Sequence, residues 1–192
     1  LFMGAEPVTG SFGSENGNSF AEISSNDAGA FLQAAGLIKR GAEGKLDLRI
    51  NRNADGINGR LLTESIKIYD LPALAKLLQS LSIIGLLEQM LGQGLFLTES
   101  DINFRLDDEQ YIIDSASFFG PSLGISLDGY LNRRDRLLDF QGVFSPIYAI
   151  NSIGSVLTRK GEGLIGINFD LWGNPDTPKV LVNPFSVLTP GM

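Results

Sequence analysis

Residues 95–128 read LFLTESDINFRLDDEQYIIDSASFFGPSLGISLD, and their spacing decides the fold class of the chain. Apolar and polar residues alternate strictly at 101–106, and the same period returns at 123–128 after an apolar stretch at 111–119. A period of two is that of a β-strand with one buried face. The connections are too short for the crossover helices of a parallel sheet. The stretch therefore predicts a meander of antiparallel strands.

The same period extends in both directions. Upstream, Leu46, Leu48 and Ile50 alternate with charged residues, and a turn at 53–56 leads into apolar runs at 57–61 and 64–69. We interpret these two runs as separate strands of a hairpin or meander. Downstream, strands are predicted at 137–144, 165–171 and 180–182, and residues 1–20 are typical of short strands joined by turns.

Three segments have helical signals. Ser25-Asn-Asp27 is an N-cap signal for a short Ala-rich helix at 28–37, and 146–157 predicts another. At 71–91 the apolar spacing predicts one helix, capped by Asp70, kinked at Gly85 and ended by Gly92 or Gly94. This helix either packs on the sheet or lies at one end of an open sheet, as a plug or as a membrane-facing helix.

The predicted fold is mainly β with a few short helices. A curved antiparallel sheet forms an open groove or an incomplete barrel, with helices at its ends or on one face. We expect residues 1–192 to form a single domain cut from a larger protein, because the chain starts at Leu1 and shows no leader or lipidation motif. The apolar run at 71–91 is too polar to cross a bilayer alone.

Composition excludes several classes of function. The chain has no Cys and no His, so disulfides, thiolate chemistry and Ser-His-Asp catalysis cannot occur within it. A net charge of −7 disfavours nucleic-acid binding, and the basic patch Arg133-Arg-Asp-Arg136 is typical of a solvated turn. Acidic pairs such as Asp107-Asp108 suit turns better than a catalytic dyad or a calcium loop. We predict no enzymatic activity, no catalytic residue, no metal and no cofactor.

What remains is an excess of apolar strand faces. A packed core would bury them, whereas an open curved sheet would leave them as an apolar groove for a ligand. The period places residues on common faces but leaves open which face points inward. The candidate groove residues are Leu46, Leu48, Ile102, Phe104, Leu106, Ile125, Leu127, Ile165, Ile167 and Phe169.

The C-terminal stretch 141–192 resembles a known family. A strand enters a short helix in LDFQGVFSPIYAINSI at 138–153, followed by GEGLIGINFDLWG at 161–173 and NPDTPKVLVNPFSVLTPG at 174–191. These blocks resemble the C-terminal region of AsmA-like proteins, and SNDAGAFLQAAG at 25–36 with EGKLDL at 43–48 is similar to the upstream part. One departure is an extra residue in the turn at 174–178. The motifs look structural and carry no catalytic residue.

The resemblance implies more than the composition does. AsmA-like proteins are anchored in the inner membrane of Gram-negative bacteria and extend through the periplasm as a curved β-sheet with an apolar groove. For this chain, the resemblance implies a periplasmic module that binds phospholipid acyl chains for transport towards, or maintenance of, the outer membrane. The membrane would be reached through segments outside this sequence. The alternative is a structural module that supports outer-membrane protein assembly through protein partners, without lipid.

Overall fold

A computed structural model describes residues 8–15, 17–54, 56–146 and 166–183. This part of the chain holds eleven strands and three helices. The strands are β1 (Val8–Glu15), β2 (Asn18–Ser25), β3 (Arg40–Ala42), β4 (Lys45–Asn53), β5 (Gly56–Tyr69), β6 (Leu95–Leu106), β7 (Gln110–Phe119), β8 (Leu123–Asn132), β9 (Leu138–Pro146), β10 (Ile167–Gly173) and β11 (Lys179–Asn183). The helices are α1 (Ala28–Ala34), α2 (Pro72–Ser80) and α3 (Ile84–Leu91).

All the strands belong to one antiparallel sheet in the order β1-β2-β4-β5-β6-β7-β8-β9-β10-β11, with short β3 paired to β5. Apart from β3, each strand therefore lies beside its neighbours in sequence, which confirms the predicted meander. The sheet is not closed into a barrel, since β1 and β11 stand at its two ends. The predicted fold class, a mainly β chain with a curved open sheet, is confirmed.

The interpretation of 57–61 and 64–69 as two strands is wrong. Both belong to the single 14-residue strand β5, which pairs with β4 on one side and β6 on the other. Ser65 has a φ of 56°, in the left-handed region. The two exposed residues Glu64 and Ser65 interrupt the alternation, so Ile66 and Ile68 are buried like Leu61 before the break.

The single helix predicted at 71–91 is also wrong in part. It is two helices, and the break lies at 81–83 rather than at Gly85, with Ser82 at a φ of 57°. Asp70 has a φ of 50° and is not the N-cap, which is Leu71. Pro72 does occupy the first turn, and Gly92 does end the second helix.

The first helix is confirmed, and the third lies outside the described residues. The Asp27 side chain caps α1 by accepting a 2.9 Å hydrogen bond from the amide of Ala30. Of the segment predicted as a helix at 146–157, Pro146 is the last residue of β9 and the rest is not described.

The contacts of the helices show that the sheet is curved. Helix α1 contacts β3 and β5, and α3 contacts β5 and β6, whereas α2 contacts β11 at the far edge. Because β11 stands six strands from β5 in the sheet order, a flat sheet could not bring it to the helices that follow β5. The sheet therefore curls around the helical side. Leu78, Met90, Leu95 and Phe144 are among the fully buried residues of the shared core.

Candidate functional site

The strand register brings the predicted groove residues onto one face of the sheet. Residues that are direct partners across a ladder point to the same side. One row runs through Leu46, Thr63, Ser100, Phe118, Ile125, Phe144 and Ile167. The next runs through Leu48, Leu61, Ile102, Ala116, Leu127, Gly142 and Phe169, and two further rows contain Phe104 and Leu106. All nine described candidates share this face, and Ile165 lies outside the described residues.

Burial separates the nine candidates into two groups. Leu46 and Phe169 are 1% and 3% exposed, so they belong to the packed core. Seven are half-buried: Leu48, Ile102, Phe104, Leu106, Ile125, Leu127 and Ile167. All of these except Leu106 and Ile167 also pack against the core. The core interpretation thus applies to two residues, and seven keep apolar surface that a ligand could reach.

The exposure of this apolar face changes along β5 and β6. Beside the helices, Ile66, Leu95 and Leu97 are at most 3% exposed. Further along the same two strands, Ile57, Ile102 and Phe104 are half-buried. The helices therefore cover one end of the apolar face and leave the other end open.

The opposite face of the sheet is polar and cross-linked by charge pairs. Arg60 binds the Asp101 carboxylate through two hydrogen bonds of 2.9 and 2.6 Å, and Arg105 binds Asp114 in the same manner. These hydrogen bonds lower the pKa of the Asp101 and Asp114 carboxyls and outweigh the opposing effect of burial. A sheet with one charged and one apolar face has a single side suited to an apolar ligand.

Aromatic rings lie across glycines of neighbouring strands on the apolar face. A β-carbon on Gly59 would meet the ring of Phe104 at 2.5 Å, and one on Gly142 would meet the ring of Phe169 at 2.7 Å. Both glycines are the direct ladder partners of these residues. The rings therefore fill the space above a bare backbone, where any side chain would displace them. Sequence reasoning missed these pairs, because the register that joins them is not visible in the alternation.

Other residues of the face were also missed. Phe144 is fully buried between Ile125 and Ile167, and Leu171 is 5% exposed. The available signal was their two-residue spacing from Phe140 and Gly142 in β9 and from Ile167 and Phe169 in β10. A different omission is Thr63, which is 3% exposed in the row between Leu46 and Ser100. Its hydroxyl has no hydrogen-bond partner within the described structure.

The apolar face reaches the free edge formed by β1. Val8 pairs with Ser25 and Phe12 pairs with Ala21, which places both on the same face as Leu46 and Ile50. Val8 is 54% exposed and Phe12 is 90% exposed. The groove face is thus uncovered both at its open end and at this edge.

A depression of about 430 Å³ lies at the open end, at the last apolar row. Ile57, Leu106 and Tyr111, which are successive partners in the ladder, line its floor. Arg52 and Arg133 line it as well. Apolar and cationic groups therefore meet at the mouth of the apolar face.

Within the described ranges, no helix has the length and apolar character needed to cross a membrane. The same residues contain no cluster of three or more acidic, His or Cys side chains placed to hold a metal ion.

No family model, curated protein or solved structure matches this chain. The AsmA-like resemblance therefore depends on the sequence motifs alone, and the family enters below as a proposal.

Proposed function

We propose that this chain is a non-enzymatic module that binds the acyl chains of phospholipid along the apolar face of its sheet. The observation that carries the proposal is the exposure of that face. Seven of the nine described candidate residues keep accessible apolar surface on one side of an open sheet. The helices cover the opposite end. An apolar face that is covered at one end and accessible at the other suits a long, thin apolar ligand.

Binding would be passive and driven by burial. An acyl chain laid against Ile102, Phe104 and Leu127 gains roughly 25 cal/mol for each Å² of apolar area removed from water. The headgroup would remain in water at the open end. No catalytic residue is needed for this mechanism, since no bond is made or broken.

The biological setting follows from the proposed family. If the chain is AsmA-like, it lies in the periplasm as part of a protein anchored to the inner membrane of a Gram-negative bacterium by segments outside this sequence. It would then carry phospholipid towards the outer membrane or help to maintain that membrane. Two features fit this proposal: the meander of one curved sheet and its single apolar face.

Photo-crosslinking tests the proposal without disturbing the core. A photoreactive residue is placed at Phe104, Ile125 or Ile167, and the protein is irradiated with phosphatidylglycerol vesicles. The matched control position is Leu181, which is apolar and 58% exposed but lies on the opposite face of β11. We expect lipid adducts by mass spectrometry at the three groove positions and none at 181. Equal labelling at all four positions, or none at any, would contradict the proposal.

A charged substitution gives a second test. Phe104→Glu or Ile167→Glu should reduce the amount of lipid that copurifies with the chain, while Leu181→Glu should leave it unchanged. Circular dichroism reports whether each variant folds. Failure of both groove variants to fold would instead support a packed core at these positions.

A second candidate function is a structural module that assists outer-membrane protein assembly by strand pairing. Strand β1 favours it, because β1 stands at one end of the sheet formed by the described residues and its sequence VTGSFGSE carries no Lys, Arg or Pro to block an incoming strand. Mass spectrometry of the purified protein separates the two candidates. Bound lipid supports the groove, whereas lipid-free protein that pairs with a strand peptide supports the edge.

A further inference from the structure

We infer that Arg52 and Arg133 form a phosphate-binding site for the headgroup of the lipid at the open end of the apolar face. This inference rests on the proposed function and names the part of the ligand that the apolar residues cannot recognise. The proposed ligand is a phosphate group covalently attached to an acyl lipid. Free inorganic phosphate is an outcome of the test.

Arg52 lies at the end of the apolar series of β4. Residues at 46, 48 and 50 of β4 point to the apolar face, and Arg52 continues that series as the ladder partner of Ile57. These residues follow one another along β4. A lipid lying parallel to this strand would place its headgroup at the end of the apolar series, where the Arg52 guanidinium lies. Arg52 is exposed and forms no ion pair within the described ranges, so its charge is open to a ligand.

Arg133 supplies the second cation from a different strand connection. Its side chain is fixed by a 2.8 Å hydrogen bond from Nη1 to the carbonyl oxygen of Asp107. Its guanidinium also lies 5.2 Å from the centre of the Tyr111 ring. A guanidinium has five N–H donors, so the group is held in place while other donors remain for a phosphate. Both arginines line the same depression.

Acidic groups also line this depression, and they set the strength expected. Asp107 accepts hydrogen bonds of 2.8 and 2.6 Å from the amides of Glu109 and Gln110, so Oδ1 is engaged in the turn. Asp108 is exposed and opposes an anion. The site should therefore favour a phosphate modestly, and Asp108→Asn should strengthen that preference.

The test compares two lipids with the same acyl chains. Dioleoyl phosphatidic acid and dioleoylglycerol are each presented to the 192-residue chain in micelles of a nonionic detergent. Bound lipid is quantified by mass spectrometry after gel filtration. We expect phosphatidic acid to bind about tenfold more tightly, with the preference weakening as NaCl rises. Arg52→Gln should remove most of this preference and leave dioleoylglycerol binding unchanged.

Matched controls separate the site from net charge. Arg49→Gln removes the same charge from the same strand, but Arg49 lies on the polar face beside Glu22. Arg134→Gln does so in the turn that holds Arg133. Neither control should change the lipid preference, and Arg133→Gln should reduce it.

The outcomes distinguish this inference from the proposed function. Equal binding of both lipids by the wild type, or loss of preference in Arg49→Gln as well as Arg52→Gln, would overturn the phosphate site while acyl binding stands. Binding of neither lipid would overturn the proposed function itself. Binding of millimolar inorganic phosphate by a protein that binds neither lipid would assign the site to free phosphate, which also overturns the inference.

Discussion

The ammonium of Lys39 lies 3.6 Å from the carboxylate of Asp176. Lys39 directly precedes β3, which pairs with β5, and Asp176 lies in the turn between β10 and β11. Six steps in the sheet order separate β5 from β11. At about 4.8 Å between neighbouring strands, a flat sheet would hold them roughly 29 Å apart. The contact therefore shows how far the sheet curls. Both side chains are largely exposed, so the ion pair reports the curvature more than it stabilises it.

Spin labelling measures this curvature. The chain has no native Cys, so Lys39→Cys and Asp176→Cys can be labelled specifically with nitroxides. We expect a dipolar coupling that corresponds to a separation well below the roughly 29 Å of a flat sheet. A distance at or above that value would contradict the curled arrangement of β11 beside the helices.

Gly142→Ala should destabilise the protein by about 1–3 kcal/mol, because the new methyl overpacks the apolar face. The added carbon would lie 2.3 Å from the carbonyl oxygen of Ser126 and 2.7 Å from the Phe169 ring. The matched control is Gly124→Ala in the adjacent strand, where the nearest atom is 3.8 Å away. Urea unfolding should show a clear loss for the first variant and no loss for the second. Equal effects would contradict the close approach of Phe169.

Thr63→Val should stabilise the protein by about 1 kcal/mol. The Thr63 hydroxyl is buried without a hydrogen-bond partner in the described structure, and an unsatisfied buried hydroxyl costs free energy that a methyl does not. The control is Thr98→Val on β6, where the side chain is exposed and the change should be near zero. A lower free energy of unfolding for Thr63→Val would mean that the hydroxyl is satisfied.

The Arg60–Asp101 pair predicts a specific pH dependence. The hydrogen bond from Arg60 lowers the pKa of Asp101 in the folded state below its unfolded value of about 3.9. The pair therefore stabilises the fold above about pH 4, and this contribution is lost as the pH falls through the folded pKa. The free energies of unfolding of wild type and Asp101→Asn should differ at pH 7 and converge in acid.

Arg60→Gln is the companion variant for this measurement. It removes the hydrogen-bond donor, so the pKa of Asp101 should return towards its ordinary value and the acid sensitivity should shrink. An unchanged pH profile in Arg60→Gln would show that another group is responsible.

The sequence alone determined most of the strands, because a two-residue period records which side of each strand meets water. It divided β5 into two and gave no signal for the short β3. It predicted β7 to within a residue, whereas the alternation at 101–106 and 123–128 covers only part of β6 and β8. The short connections predicted their antiparallel order. It also determined the first helix, where the Asp27 cap is a local interaction between residues three apart. The absence of Cys and His limited the chemistry from the outset.

The tertiary structure decided what the period left open. Ser65 and Ser82 both have a positive φ, which sequence propensities do not signal. Ser65 lies where the alternation of buried residues shifts within β5, and Ser82 lies where the predicted helix divides into α2 and α3. Such conformations persist where the surrounding structure stabilises them. Only the register showed that Leu46 and Phe104 share a face, and only the three-dimensional packing decided that Leu46 is buried in the core while Phe104 stays half-buried. Pairing across strands and the return of β11 to α2 are long-range contacts, and a local pattern carries no record of them.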